Sequence, residues 1–296
     1  MPDQGPPPSD ANLSRRSVLA AAALAPAAAI VGAQAAGAQT STGGAAGARP
    51  AGQGRAALVT GSSRGIGAAT ARRLARDGFA VTVNCVVNRD LAAAVVRDIE
   101  SAGGRATWLQ ADVADPRSVR RLFDHHDRNF GGVDVVVSNA GIMRLAPFGR
   151  MSDEDFDRMF AVNAKGSFNV LREASRRIRN DGRIITLSSS ITQLTSPTYG
   201  PYAATKATQD MYAAVLAKEL GKRRVSVNAI APGVVDTTLF TDGKTQQEIQ
   251  GFVERTPLGR LGEPEDIARM ISALASRDGA WVSGQTVFTN GAIVSA

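Results

Sequence analysis

The sequence predicts an α/β fold: a doubly wound parallel sheet of seven strands, with helices on both faces, in a single domain. Three observations predict it. Short runs rich in Val, Ile and Ala alternate with longer stretches of helical periodicity. The first such run feeds a glycine-rich turn that opens a helix. Hydrophobic residues make up 44% of the chain and aromatics only 5%, which is the aliphatic core that a sheet covered on both faces requires. Such a sheet with its helices uses most of a 296-residue chain, so residues 55–296 are expected to form one unit.

The first strand spans 56–60. It is followed by Gly61-Ser62-Ser63-Arg64-Gly65-Ile66-Gly67 and a helical pattern to Asp77. Strand, glycine turn and helix together present backbone N–H groups and a helix N-terminus to a pyrophosphate. Candidate contacts here are Gly61, Ser63, Arg64, Gly65, Ile66 and Gly67. The second strand, 80–84, ends at Asn84. An Asp or Glu at that point would bind a ribose 2′-hydroxyl and repel a 2′-phosphate, and the sequence has none until Asp90. Arg64 offers a planar cationic fork to a phosphate. The two features together favour NADP(H) over NAD(H) as cofactor.

A third strand, 108–113, carries Asp112 and Val113 at its end. Asp115-Pro116 then reads as an N-cap with Pro at the first helical position, opening a helix to about Phe130. The fourth strand, 133–138, runs into Asn139-Ala140-Gly141, and the fifth, 183–187, ends in three serines, 188–190. A helix starting near Tyr202 puts Tyr202 and Lys206 on one face at i and i+4. Tyrosine ordinarily has a pKa of about 10. A nearby ammonium and the positive nicotinamide of an oxidised cofactor favour the phenolate, so Tyr202 is a candidate acid/base for a carbonyl oxygen. A sixth strand, 225–230, leads to Ala231-Pro232-Gly233-Val234-Val235-Asp236-Thr237. Residues 238–257 are polar with a helical middle, and the last strand lies within 281–291.

The Gly-x-x-x-Gly-x-Gly spacing, Asn139-Ala140-Gly141, Asn163 within 162–166, the serines and Tyr202-x-x-x-Lys206 occur in this order on these elements. In this they resemble the short-chain dehydrogenase/reductase family, whose sheet is of the Rossmann type. The resemblance covers about residues 55–293. It implies a catalytic set of Asn163, Ser189, Tyr202 and Lys206. Ser189 is selected because the family's serine lies thirteen positions before its tyrosine. It would orient the carbonyl oxygen, while Lys206 holds the nicotinamide ribose. Asn163 would kink a long helix and anchor a water relay from the lysine to solvent.

The resemblance also implies cofactor contacts from Asn84, Asp112, Val113, Asn139, Ala140, Gly141, Tyr202, Lys206, Pro232, Gly233, Val235 and Thr237. Residues 238–257 resemble the family's mobile lid. The last strand resembles a segment commonly buried in a tetramer contact, so a homo-tetramer or dimer is expected. Ser138 departs from the family, which often has Asn there. Segments 84–88, 155–158, 172–174, 242–245 and 281–285 are similar to aldehyde reductase-like members. The implied activity is NADP(H)-dependent reduction of a small aldehyde or ketone. A 3-oxoacyl-thioester reductase and a sugar or polyol dehydrogenase are alternatives. An alternative of another class is a non-catalytic NADP-binding redox sensor or scaffold, which would be expected to lose one of the four catalytic residues.

Outside this unit, residues 1–38 read as an export signal. Arg15-Arg16, an uncharged Ala-rich stretch and Ala36-Gly37-Ala38 give a charged start, a short apolar segment and an A-x-A site. Paired arginines after Ser14 resemble the twin-arginine type, although Val18 stands where that motif usually has Phe. Residues 39–54 read as a flexible linker. Export out of the cytosol is therefore expected, with a cytoplasmic location as the alternative. The net charge of +7 is spread over helices that also carry acids, which fits a solvated surface rather than a nucleic-acid site. No membrane span is expected in the mature chain. The lone Cys85 excludes an intrachain disulfide and reads as buried. His125 and His126 read as surface residues, and no metal site is expected.

Overall fold

The computed structural model describes residues 52–294. The signal reading of 1–38 and the linker reading up to residue 51 lie outside the described residues. The chain begins with β1 (Ala56–Val59), α1 (Gly65–Arg76), β2 (Ala80–Cys85), α2 (Arg89–Ser101), β3 (Arg105–Gln110), α3 (Pro116–Phe130) and β4 (Val135–Ser138). There follow α4 (Asp153–Phe160), a π turn (Ala161–Gly166), α5 (Ser167–Arg177), β5 (Arg183–Leu187), α6 (Ile191–Leu194) and α7 (Gly200–Leu220). The last elements are β6 (Ser226–Pro232), α8 (Thr238–Thr241), α9 (Gln246–Arg255), α10 (Pro264–Ala275) and β7 (Thr286–Thr289).

All seven strands are parallel, in the order β3-β2-β1-β4-β5-β6-β7. The chain works outward from β1 to β3, then crosses back to β4 and works outward the other way. The loops after β1 and β4 therefore part at the carboxyl edge and leave a crevice there, the place where such sheets hold ligands.

The aliphatic runs are strands because both faces are covered. Val81, Val83, Val135 and Val137 point into one core with Leu74, Ile99, Ile267 and Ile271 from α1, α2 and α10. Leu58, Val136, Ile184 and Val227 point into the other with Leu122, Val170 and Ala213 from α3, α5 and α7. Each fully buried Leu, Ile or Phe contributes about 1.5–3 kcal/mol relative to exposure. The caps fix the helix starts. Asp115 accepts from the N–H groups of Arg117 at 2.9 Å and Ser118 at 3.1 Å, with Pro116 behind it.

Two expectations are corrected. β3 begins at Arg105, not near 108, because residues 105–107 continue the pairing with Ala80–Thr82 across the sheet. Asp112 and Val113 consequently lie beyond the strand, in the crevice loop. The final strand, Thr286–Thr289, falls within the expected segment, and Trp281 stands 98% exposed at the end of a 3₁₀ turn. His126 is buried completely, since the helix that carries it packs that face on the sheet. Its Nδ1 lies 2.7 Å from Thr82 Oγ1 of β2. His125 is only partly covered, its Nε2 2.9 Å from Thr107 Oγ1 of β3. Cys85 is buried. Among the described residues no helix is long and apolar enough to cross a membrane.

Candidate active site

Gly61 and Gly67 build the turn after β1. Gly61 has φ +60, and a Cβ there would come 2.8 Å from Ala140 Cα. One at Gly67 would come 2.5 Å from both Asn139 Nδ2 and the Gly61 carbonyl oxygen. The backbone of the turn is thus packed against the loop after β4 as only glycine allows. The residue before α1, Arg64, makes no side-chain cap bond, which leaves the first-turn N–H groups facing the crevice for an anion. Asn139 secures the arrangement by donating to the carbonyls of Thr60 at 2.8 Å and Gly61 at 3.0 Å.

A crevice of about 470 Å³ runs from this turn across the sheet edge. It is lined by Gly61, Ser63, Arg64, Gly65, Ile66, Gly67, Asn84, Asp112, Val113, Asn139, Ala140, Gly141 and Thr237. Narrow glycine backbone, an uncapped helix and an exposed arginine together suit an extended, phosphate-bearing dinucleotide. Asn84, which lines the crevice, also braces it. Its side chain is buried, accepting from Gly61 N–H at 3.0 Å and donating to the carbonyls of Leu109 and Ala111. It pins the glycine turn to the neighbouring loop. Asp112 receives Ala114 N–H at 2.9 Å and pairs with Arg158 at 3.2 Å.

The crevice continues into an inner pocket of about 130 Å³ that brings together Ser189, Tyr202, Lys206, Pro232, Gly233, Val235 and Thr237. Ser189 comes from the loop after β5, and Tyr202 and Lys206 from the first turns of α7. The Lys206 ammonium lies 5.8 Å from the Tyr202 ring centre and donates to the Leu187 carbonyl at 2.7 Å. Burial lowers its pKa to about 8, with Asp210 acting in the opposite direction. Tyr202 is buried as well, and burial pushes its pKa far up. Tyr199 adds to the rise, and a hydrogen bond with Ser189 opposes it. Within the protein alone, burial is the largest influence on the Tyr202 hydroxyl.

Asn163 lines neither cavity; it stands behind Gly141. Its amide grips the peptide of Ile142 from both sides, accepting from the N–H at 2.8 Å and donating to the carbonyl at 2.8 Å. It also donates to Thr205 Oγ1 at 3.0 Å. The π turn frees the Asn163 carbonyl, which receives Gln209 Nε2 at 2.7 Å. A Cβ on Gly141 would lie 3.4 Å from Asn163 Oδ1 and 3.7 Å from Lys206 Nζ, so both groups converge on the Asn139–Gly141 loop.

Sequence reading missed Tyr199, Phe240 and Phe252, which wall the inner pocket, because aromatic residues in loops and short helices carry no spacing signal. Asp210 was legible in principle. It stands four residues after Lys206 on the same helix, where its carboxylate accepts from Thr286 Oγ1 at 3.1 Å.

Comparison with known proteins finds relatives that share this fold. The family model described as enoyl-(acyl carrier protein) reductase matches residues 61–292. An uncharacterized oxidoreductase of Methylorubrum extorquens is 40% identical over 81% of this chain and 98% of its own. A versicolorin reductase of Emericella nidulans is 39% identical over 80% of this chain and 95% of its own. A short-chain dehydrogenase of Burkholderia cenocepacia, solved in complex with NADP, superposes with a TM-score of 0.78 at 34% identity, covering 83% of this chain and 99% of its own. Fold and relatives together make the protein an oxidoreductase. The chain belongs to the short-chain dehydrogenase/reductase family.

Proposed function

We propose that the protein is an NADP(H)-dependent reductase of an aldehyde or ketone, with Tyr202 as the acid that protonates the carbonyl oxygen. The observation that carries this reading is one continuous cleft. It joins an anion-receiving glycine turn to a buried pocket holding Ser189, Tyr202 and Lys206. NADPH would supply the hydride when bound. The turn at 61–67 would hold its pyrophosphate, Arg64 its 2′-phosphate, and Lys206 its nicotinamide ribose. Ser189 and Tyr202 would hold the substrate oxygen between them, which orients the carbonyl and stabilises charge as it develops there. Tyr202 would give its proton to that oxygen. The buried Lys206 ammonium favours the phenolate that remains, while Asn163 keeps the loop under the reacting groups in place. The NADP complex of the Burkholderia relative and the name of the versicolorin reductase support cofactor and direction.

The description of the matching family model favours a second reading, in which the substrate is an acyl thioester. One assay separates the two. Purified protein is given NADPH or NADH with aldehydes, ketones, an acetoacetyl thioester and a crotonyl thioester, with Tyr202→Phe alongside. The proposal requires turnover of simple carbonyls with NADPH, weaker with NADH, and a loss of about 10²–10⁴-fold in Tyr202→Phe. Turnover of the crotonyl thioester alone would replace it. We also propose that residues 1–38 direct twin-arginine export. Fused to a reporter, this segment should deliver it outside the cytosol, and Arg15→Lys/Arg16→Lys should abolish delivery.

A further inference from the structure

The inner pocket opens outward into a second cavity of about 830 Å³, sharing Gly141, Ile142, Met143, Tyr199, Leu239 and Phe252 with it. This outer space is larger than a simple aldehyde needs, and its lining has a definite character. Phe252 of the lid lines both spaces and meets Phe240 of the inner pocket edge to face, with ring centres 5.1 Å apart. Lys244 Nζ stands 4.7 Å from the Phe240 ring centre, and the Arg255 guanidinium 4.4 Å from that of Phe252. Arg144 lines the same cavity from the loop after Gly141, and Arg64 from the glycine turn.

Four cations thus face two acids, Asp242 and Glu248. Glu248 is engaged by Thr245 in the cap of α9, its Oε2 accepting from Thr245 N–H at 2.7 Å. Arg144 is shared with Asp155 at 3.3 Å. With Arg64 assigned to the cofactor, Lys244 and Arg255 remain as the lid's cations, each held beside an aromatic ring that also faces the substrate. Half-buried Lys244 donates to the Phe240 carbonyl at 2.6 Å and exposed Arg255 to the Gly251 carbonyl at 3.0 Å, which leaves each with further N–H donors for an anion.

We infer that the substrate is a carbonyl compound with an apolar, aryl-compatible body and an anionic group at its far end, received by Lys244 and Arg255 of the lid. The body lies against Phe240, Phe252, Tyr199 and Leu239, and the anion ties the lid to the bound substrate. A carboxylate on an aromatic ketone and the phosphate of a pantetheine thioester share this chemistry.

The inference rests on the proposed carbonyl reduction, and the test separates the two. With NADPH, kcat/KM is measured for 4-acetylbenzoate, its methyl ester and acetophenone. It is also measured for acetoacetyl-coenzyme A beside acetoacetyl-N-acetylcysteamine, which lacks the phosphates. Binding of the same compounds to NADPH-loaded Tyr202→Phe protein is titrated in parallel, so the comparison stands with or without turnover. The anionic member of at least one pair should be preferred by about tenfold or more. The preference should sit in KM and weaken with salt. It should vanish in Lys244→Gln/Arg255→Gln but persist in Lys244→Arg. The responding pair distinguishes aryl carboxylate from phosphopantetheine. Equal values within both pairs, or a preference that the double variant leaves unchanged, overturns the inference. Anion-preferring binding with no turnover of any carbonyl would overturn the proposed activity while leaving the anion site of the lid standing.

Discussion

At the scale of single residues, the charge on Lys206 is set by two opposed effects. Burial lowers its pKa to about 8, and Asp210 one turn along resists the fall. In the proposed mechanism the ammonium is the form that holds the ribose and favours the Tyr202 phenolate. Reduction should therefore lose kcat/KM as pH rises through about 8. In Asp210→Asn the resisting charge is gone, so that limb should move to lower pH; a pH–rate profile unchanged in the variant would refute the coupling. Arg64 is argued on chemistry alone. If the guanidinium receives the 2′-phosphate as proposed, Arg64→Gln should raise the KM for NADPH about tenfold or more while changing that for NADH little. Equal changes in both would assign Arg64 another role. The residues at this scale were unequally legible. Tyr202 and Lys206 announce themselves by their helical spacing. Gln209 and Thr205 hold Asn163 in place, yet in sequence they are ordinary helix residues, and only tertiary contact reveals them.

At the scale of elements, the turn from β1 into α1 is the tightest piece of the site. A methyl on Gly67 would collide with Asn139 Nδ2 and the Gly61 carbonyl, both at 2.5 Å. Gly67→Ala should therefore break the hydrogen bonds that Asn139 makes to the turn. The expected cost is about 1–3 kcal/mol of stability and a marked rise in the KM for NADPH, read by denaturant unfolding and steady-state kinetics. A variant that unfolds like wild type would show that the loop after β4 can yield. The glycine spacing made this element readable, because a turn that admits no Cβ leaves its mark in residue type. The register of β3 was less readable. Arg105, Ala106 and Thr107 lack the apolar signature of the other strands, and pairing with β2 recruits them.

At the scale of the whole molecule, two cores press on one sheet, and His126 is a polar group in the seam of one of them. Burial lowers its pKa to about 4; the Gly132 backbone and Asp134 pull it upward, while His125 and Arg179 add to the lowering. The folded protein holds this imidazole neutral, whereas the unfolded chain protonates it near the ordinary value of about 6.5. Its stabilisation is complete above that value and is lost as pH falls from there toward 4. The full span is worth about 3 kcal/mol. Thermal unfolding should show a stability loss between pH 6.5 and 4.5 that is smaller in His126→Gln, and identical slopes would remove His126 as the cause. The histidine pair resisted sequence reading because adjacent helical positions differ only in which way they point, and the packing of α3 decides that.

The π turn at Ala161–Gly166 also acts as a phase buffer. Its wide turn holds more chain than an α turn, and each residue of an α-helix advances the side chains by about 100°. Excising one residue there would heal the helix into regular α form and, because the wide turn already takes up that residue, leave α5 in phase. Val170, Leu171 and Ala174 would still face the core, while the Asn163 carbonyl would no longer be free to receive Gln209. The same deletion later in α5 would instead rotate the rest of that helix by about 100°.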